Sequence, residues 1–287
     1  MKALVIGGGS EKSAHSVGAV RYLIGDLDIH YDCLCGVSAG AINVAFIAQY
    51  TSNQNKEAAN KLSELWGQLT NSHIYKDWFP FRGWHSLWRK SFYNSAPLMD
   101  LIKSTVSLEK IRASGKKVAV GAVSISSGKY TVFTQDDDDF IEAVVASASF
   151  PGFFCPIKMR GEYFIDGGAK QHTPIQMALD FGVDEIDVLM TSPEIRLKHF
   201  IEEPNTADII KRALDLSSDK IMSNDLDKLK MYNRLAEAGV SERKVIKTNV
   251  IRPQYNLTDD LLDFNPIKIA KMMDIGYEDA KRLYNVI

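Results

Sequence analysis

Residues 33–42 read CLCGVSAGAI, an apolar strand-like run that enters Gly36-Val37-Ser38-Ala39-Gly40 and leaves as an apolar helix-like run. The five residues fit G-x-S-x-G, a strand-to-helix turn that lifts a serine hydroxyl clear of a sheet while small flanking residues let the turn close. Out of context the same letters describe a tight βα turn with a capping serine. With a strand pattern before it and a helix pattern after it, Ser38 is the candidate nucleophile.

The same alternation runs along the chain. Strand-like apolar runs recur at 4–6, 33–37, 118–123, 130–134, 163–165, 186–190 and 245–251, and helical periodicity occupies 40–49, 58–69, 140–147, 175–181, 207–238 and 266–284. This order predicts an α/β fold with a mixed, mostly parallel sheet and helices on both faces. The stretch SSGKYTVF, residues 126–133, predicts one hairpin turn. No internal repeat and no Gly/Ser or Pro linker divides the chain. One domain is therefore expected over 1–287, with a core of about 1–195 and a C-terminal helical completion of about 196–287.

Of the 287 residues 45% are apolar, enough to bury a sizeable core. Lys and Arg number 34 against 36 Asp and Glu, so the net charge of -2 exerts no global pull on nucleic acid, and no nucleic-acid partner is expected. Cys33, Cys35 and Cys155 lack paired or zinc-like spacing and sit among apolar neighbours, as buried reduced thiols would. The N-terminal apolar run, Ala3 to Ile6, is far shorter than the core of a signal peptide, and no run approaches a membrane span. A water-soluble, cytoplasmic protein is expected. The acidic stretch Asp136 to Asp139 lacks the alternating ligands and glycine of a calcium loop and is read as a solvated turn.

A serine nucleophile needs a base. The α/β-hydrolase pattern, with its elbow after several strands and a late histidine, does not fit, because Ser38 follows the second strand and no histidine lies beyond His199. The segment YFIDGGAKQHTPI, residues 163–175, ends a strand at Asp166 and turns sharply at Gly167-Gly168. A carboxylate at a strand's C-terminal end belongs on the edge where open α/β sheets place their sites. Asp166 can there take the serine proton directly, although an ordinary aspartate is a weak base unless its surroundings tune it. A triad through His172, six residues on, stays open.

The second glycine turn, GGGSEKSAHSVG at residues 7–18, has three competing uses. A dinucleotide fingerprint fails because Lys12 stands where its third glycine is needed, and a phosphate-cradling loop fails because Glu11 precedes Lys12-Ser13. An oxyanion hole needs only backbone N–H groups beside the serine.

Together the glycine turn, GVSAG and DGG resemble the patatin-like phospholipases, serine acyl hydrolases with a Ser-Asp dyad. The resemblance extends to ASASFPGFFCPI (146–157), FYNSAPLMDLI (92–102) and LLDFNPIKIAKMMDIGYEDA (261–280). It implies a three-layer fold, Ser38 as nucleophile, Asp166 as base, and Gly7, Gly8 and Gly9 as oxyanion donors. The chain departs from the family in its glycine turn, where Ser10 and Glu11 precede Lys12 and Ser13 stands in place of a glycine. Lys12 is a candidate for steadying this loop or meeting a phosphate headgroup.

Residues 75–93, YKDWFPFRGWHSLWRKSFY, interleave aromatics with cations. Trp78, Phe79, Phe81, Trp84 and Trp88 are candidates for transient contact with a membrane surface, and equally for a buried aromatic face. The resemblance implies hydrolysis of phospholipids or other fatty-acyl esters of the phospholipase A or lysophospholipase type, with no metal and no cofactor. Small soluble esters or thioesters, or lipid binding with little catalysis, are the alternatives.

Overall fold

The computed structural model describes residues 1–78, 90–194, 206–240, 244–258, 260 and 262–285. Its sheet is built outward from β1 (Lys2–Ile6), which pairs in parallel with β2 (Cys33–Gly36) on one side and β7 (Glu185–Leu189) on the other. β8 (Lys247–Ile251) extends the β7 side and β3 (Lys117–Ser124) the β2 side, both parallel. The central strands β1, β2 and β3 are largely apolar because both faces are covered. Leu4, Ile6, Leu34, Val118 and Val120 pack into one core, whereas Ala3, Val5, Cys33, Cys35 and Ala119 pack into the other, the period-two alternation of a strand.

The first core is closed by helices α1 (Ser13–Val20), α2 (Ala39–Ile47), α3 (Asn55–Gly67), α5 (Ala96–Thr105), α6 (Leu108–Ser114), α7 (Phe140–Ser147) and α10 (Pro266–Asn285). A short α4 (Asn71–Ile74) joins this side. α8 (Ile175–Asp180) and α9 (Thr206–Glu237) close the second. The result is the expected mixed, mostly parallel sheet between two helical layers.

The hairpin at 126–133 is present: β4 (Tyr130–Thr134) runs antiparallel to β3. A second antiparallel pair, β5 (Ile157–Met159) and β6 (Glu162–Asp166), joins the same strand through β6. Ala119 and Val120 of β3 pair with both β4 and β2, and Ala122 and Val123 with both β4 and β6. A strand has only two edges, so β2 and β6 share one edge of β3, β2 taking the first half and β6 the second. Asp166 therefore reaches the site on a strand that descends onto the end of β2. Asp166 thus comes to the end of β2 from an antiparallel strand rather than from one of the parallel ones.

Two glycines set the crossing of α1 and α10. A Cβ on Gly18 would overlap the Met273 carbonyl and one on Gly276 the His15 carbonyl, so each helix runs backbone to backbone against the other. His15 Nε2 meets Asp279 Oδ2 at 2.9 Å inside this contact. The acidic turn is held by cations: Arg160 binds Asp137 at 2.6 Å and Asp139 at 2.7 Å, and Arg112 binds Asp138 at 2.8 Å. Cys33 and Cys35 are buried free thiols as expected, whereas Cys155 is only half-buried, its Sγ 2.9 Å from Ser91 Oγ.

Candidate active site

Ser38 stands between β2 and α2 with φ 57° and ψ -134°, a backbone region that costs a non-glycine residue roughly 1–3 kcal/mol. The surrounding contacts enforce it. A Cβ on Gly36 would overlap the Gly40 carbonyl, and one on Gly40 would overlap the Ile6 carbonyl and lie 2.6 Å from that of Gly7. Glycine at both flanks is what lets the elbow close against β1. The Ser38 N–H donates to Ser147 Oγ at 3.0 Å, which ties the elbow to α7.

Asp166 is 3% exposed. Gly167 follows it because the chain passes so close to β3 and the elbow that a Cβ would overlap the Gly121 carbonyl and come within 2.6 Å of Val37 Cγ2. Burial pushes the carboxyl up to about 7, while the Ser38 hydroxyl and the Gly168 N–H, donating to Oδ1 at 2.7 Å, hold it from rising further. The low basicity of an ordinary aspartate is thereby corrected by desolvation. The Asp166 N–H donates to the Ser149 carbonyl at 3.0 Å. Ser147 and Ser149, from the ASASF stretch, thus hold the backbones of both candidate residues.

The glycine turn departs from expectation. Gly7 donates its N–H to the Leu189 carbonyl at 3.0 Å, and Gly8 donates to the His172 carbonyl at 3.1 Å, so both are already committed to holding the turn. Thr191 Oγ donates to the Gly8 carbonyl at 2.7 Å and lies so close to Gly9 that a Cβ there would overlap it. Of the three glycines Gly9 alone lines the cavity, and its N–H has no acceptor among the described residues. The Ala39 N–H, in the first turn of α2, is the second donor next to Ser38. Gly8 serves by being small: a Cβ there would lie 3.0 Å from Ser38 Cβ and 3.3 Å from His172 Cε1.

Glu11 turns inward, 1% exposed, and its Oε2 accepts the Leu262 N–H at 3.1 Å, with burial raising its pKa. The extra residue therefore anchors the C-terminal segment instead of facing an anion. Lys12 lines the cavity and has no carboxylate within ion-pair distance among the described residues.

A cavity of about 300 Å³ opens beside Ser38 and Asp166. Its walls are apolar side chains such as Ile42, Trp66, Leu101, Phe150, Met222 and Phe264, drawn from both helical layers and the C-terminal segment. An apolar cleft with a few convergent polar groups is the usual form of a small-molecule site. Of the aromatic candidates, Phe79, Phe81, Trp84 and Trp88 lie outside the described residues, and Trp78 is half-buried, its Nε1 donating to the Ser91 carbonyl at 3.1 Å. Trp66, the tryptophan outside that segment, walls the cavity, its Nε1 donating to Asn43 Oδ1 at 2.8 Å.

A family model of the patatin-like phospholipases matches residues 4–179. The probable lipid hydrolase 463L of Invertebrate iridescent virus 6 is 21% identical over 282 residues, which cover 87% of this chain and 92% of the relative. The crystal structure of VipD from Legionella pneumophila superposes with a TM-score of 0.50 at 13% identity, covering 99% of this chain and 67% of its own.

Proposed function

The chain belongs to the patatin-like phospholipase family, and on that premise we propose that it is a serine lipid acyl hydrolase of the phospholipase A or lysophospholipase type, working through Ser38 and Asp166. The observation that carries the reading is a serine on a strained elbow, beside a buried carboxyl, at the wall of an apolar cavity.

As Ser38 Oγ attacks the ester carbonyl carbon, Asp166 takes its proton. The negative charge moves to the carbonyl oxygen, where the N–H groups of Gly9 and Ala39 receive it. The tetrahedral centre collapses, the carbonyl re-forms, the ester C–O bond breaks, and the alkoxide leaves with the proton from Asp166. Water then hydrolyses the acyl-serine. With its carboxyl near 7, Asp166 is a far stronger base than a solvated aspartate yet is substantially ionised at neutral pH. The cavity takes the acyl chain, and Lys12 at its rim meets a phosphate headgroup. The whole of 1–287 works as one catalytic unit, because Leu262 and Phe264 complete the cavity from the C-terminal segment. The protein acts from the aqueous side of a membrane surface and needs no metal or cofactor.

The test is a fluorophosphonate, read by intact mass on wild type, Ser38→Ala and Asp166→Asn, with an ester series of increasing acyl length. One adduct on wild type alone, together with preference for long chains, supports the reading. Preference for short chains points to a soluble esterase. An unlabelled wild type, or equal labelling of Ser38→Ala, overturns the nucleophile.

A further inference from the structure

The peptide units of the glycine turn are held in different ways. The unit between Ile6 and Gly7 is fixed through the Gly7 N–H, which donates to the Leu189 carbonyl at 3.0 Å, and the unit between Gly7 and Gly8 through the Gly8 N–H, which donates to the His172 carbonyl at 3.1 Å. The unit between Gly8 and Gly9 carries the N–H that has to stay open for an oxyanion, so it cannot be fixed in the same way. Among the described residues it is held at its other end, by a side chain: Thr191 Oγ donates to the Gly8 carbonyl at 2.7 Å.

In a trans peptide the carbonyl and the N–H of one unit point in opposite directions, so the bond that pins the Gly8 carbonyl also sets the direction of the Gly9 N–H. With glycine on both sides, no Cβ restricts the rotation of this unit, and many of its orientations cost little. Thr191 is itself well fixed. The register that pairs Ile6 with Leu189, continued by two residues, sets it opposite Gly8, and the Met190 N–H before it donates to the Ile251 carbonyl at 2.9 Å. Its β-branched side chain is buried, and a Cβ on Gly9 would overlap its Oγ, Cβ and Cγ2, so Thr191 backs Gly9 as well as bonding Gly8. A hydrogen bond accepted by an amide carbonyl also polarises the amide and makes its N–H a stronger donor.

We propose that Thr191 is the positioning residue of the oxyanion hole: its hydroxyl, without touching the substrate, aims the Gly9 N–H at the carbonyl oxygen on which charge develops. The proposal rests on the serine hydrolase reading above. Acylation and deacylation both pass through a tetrahedral centre with its charge on that oxygen, so a misdirected donor slows both. No proton moves to or from Thr191. A threonine that merely satisfied a buried carbonyl would contribute to stability and leave the reactivity of the folded protein untouched.

The experiment is the time course of fluorophosphonate labelling, read by intact mass, for wild type, Thr191→Val, Thr191→Ala and Thr191→Ser, with kcat on a 4-nitrophenyl fatty-acyl ester measured in parallel. The rate constant reports the reactivity of each folded molecule, and the final labelled fraction reports how much of the protein is folded. Valine keeps the shape of threonine and removes the donor. Thr191→Val and Thr191→Ala are expected to label roughly 10- to 100-fold more slowly, somewhat less than the loss of a whole oxyanion donor, yet to reach the wild-type labelled fraction, with kcat reduced to match. Thr191→Ser, which keeps the hydroxyl, recovers most of the loss. A wild-type rate constant in Thr191→Val or Thr191→Ala, whatever the labelled fraction, overturns the proposal, as does a Thr191→Ser as slow as Thr191→Val. If Thr191→Ser labels while both other variants are unfolded and unlabelled, the hydroxyl is a requirement of folding and the proposal falls. A wild type that does not label would instead defeat the serine nucleophile itself.

Discussion

Asp166 shows how one residue's surroundings change its chemistry. Its carboxyl is at about 7 in the folded protein against an ordinary 3.8, so between those values the native state binds the extra proton. The associated stability is complete below the ordinary value and is lost as pH rises through about 7. Asp166→Asn does not titrate. Wild type is therefore expected to lose on the order of 2 kcal/mol relative to Asp166→Asn between pH 5 and 8, measured by urea unfolding at several pH values, and equal pH dependence would refute the buried titration. Conversely, kcat/KM of wild type rises with pH through about 7 and falls by roughly 100- to 10,000-fold in Asp166→Asn. Gly8→Ala tests the crowded neighbour. Its methyl presses on Ser38 Cβ and the His172 ring, both tethered to fixed backbone. The expected outcome is an at least tenfold slower fluorophosphonate reaction with the unfolding midpoint little changed, since small displacements of reacting groups are expensive in rate.

Among the elements, the α1–α10 contact is the one whose failure would unseat the site. α1 continues the glycine turn, and the segment preceding α10 supplies Leu262 and Phe264 to the cavity. In Gly18→Ala the added methyl meets the Met273 backbone, whose carbonyl carbon is only 2.6 Å from the Cβ position, and backbone cannot rotate away as a side chain can. A loss of about 2–3 kcal/mol is expected from this overpacking, read as a lower midpoint in urea. Gly161→Ala is the comparison for a surface turn, where a Cβ meets nothing within 4 Å and only its φ of 82° opposes the change. If Gly18→Ala costs no more than Gly161→Ala, the two helices are not held at backbone contact.

At the scale of the whole molecule, the cavity is a joint product of the two helical layers and the C-terminal segment. Leu101 on α5 is half-buried and lines it, so Leu101→Trp can fill the space without disturbing the serine. Each methylene kept out of an apolar site forfeits about 0.8 kcal/mol, and excluding three or four lowers kcat/KM roughly 50- to 200-fold. That loss is expected for long-chain esters, while acetyl and butyryl esters react as in wild type. A uniform effect on all chain lengths would mean that the acyl group binds elsewhere. Among the described residues no helix is long and apolar enough to cross a membrane.

How much of this was legible beforehand depends on range. The runs that became β1, β2, β3, β4, β6, β7 and β8, and the helices at Ser38, at 140–147 and at the C-terminus, carry period-two or helical patterns within their own span. G-x-S-x-G with correct flanks was enough to locate the elbow, because its closure depends on adjacent glycines. β5, only three residues long, and the short α4 and α6 carry too little pattern to be read from composition. What tertiary structure alone decided is which groups meet. An antiparallel β6 carries Asp166 to Ser38, and packing raises its basicity by removing water. Long-range backbone bonds to Leu189 and His172 take Gly7 and Gly8 out of use and leave Gly9. A residue type states what a group is able to do, whereas desolvation and hydrogen-bond occupancy arise from partners distant in sequence, and these set what it does.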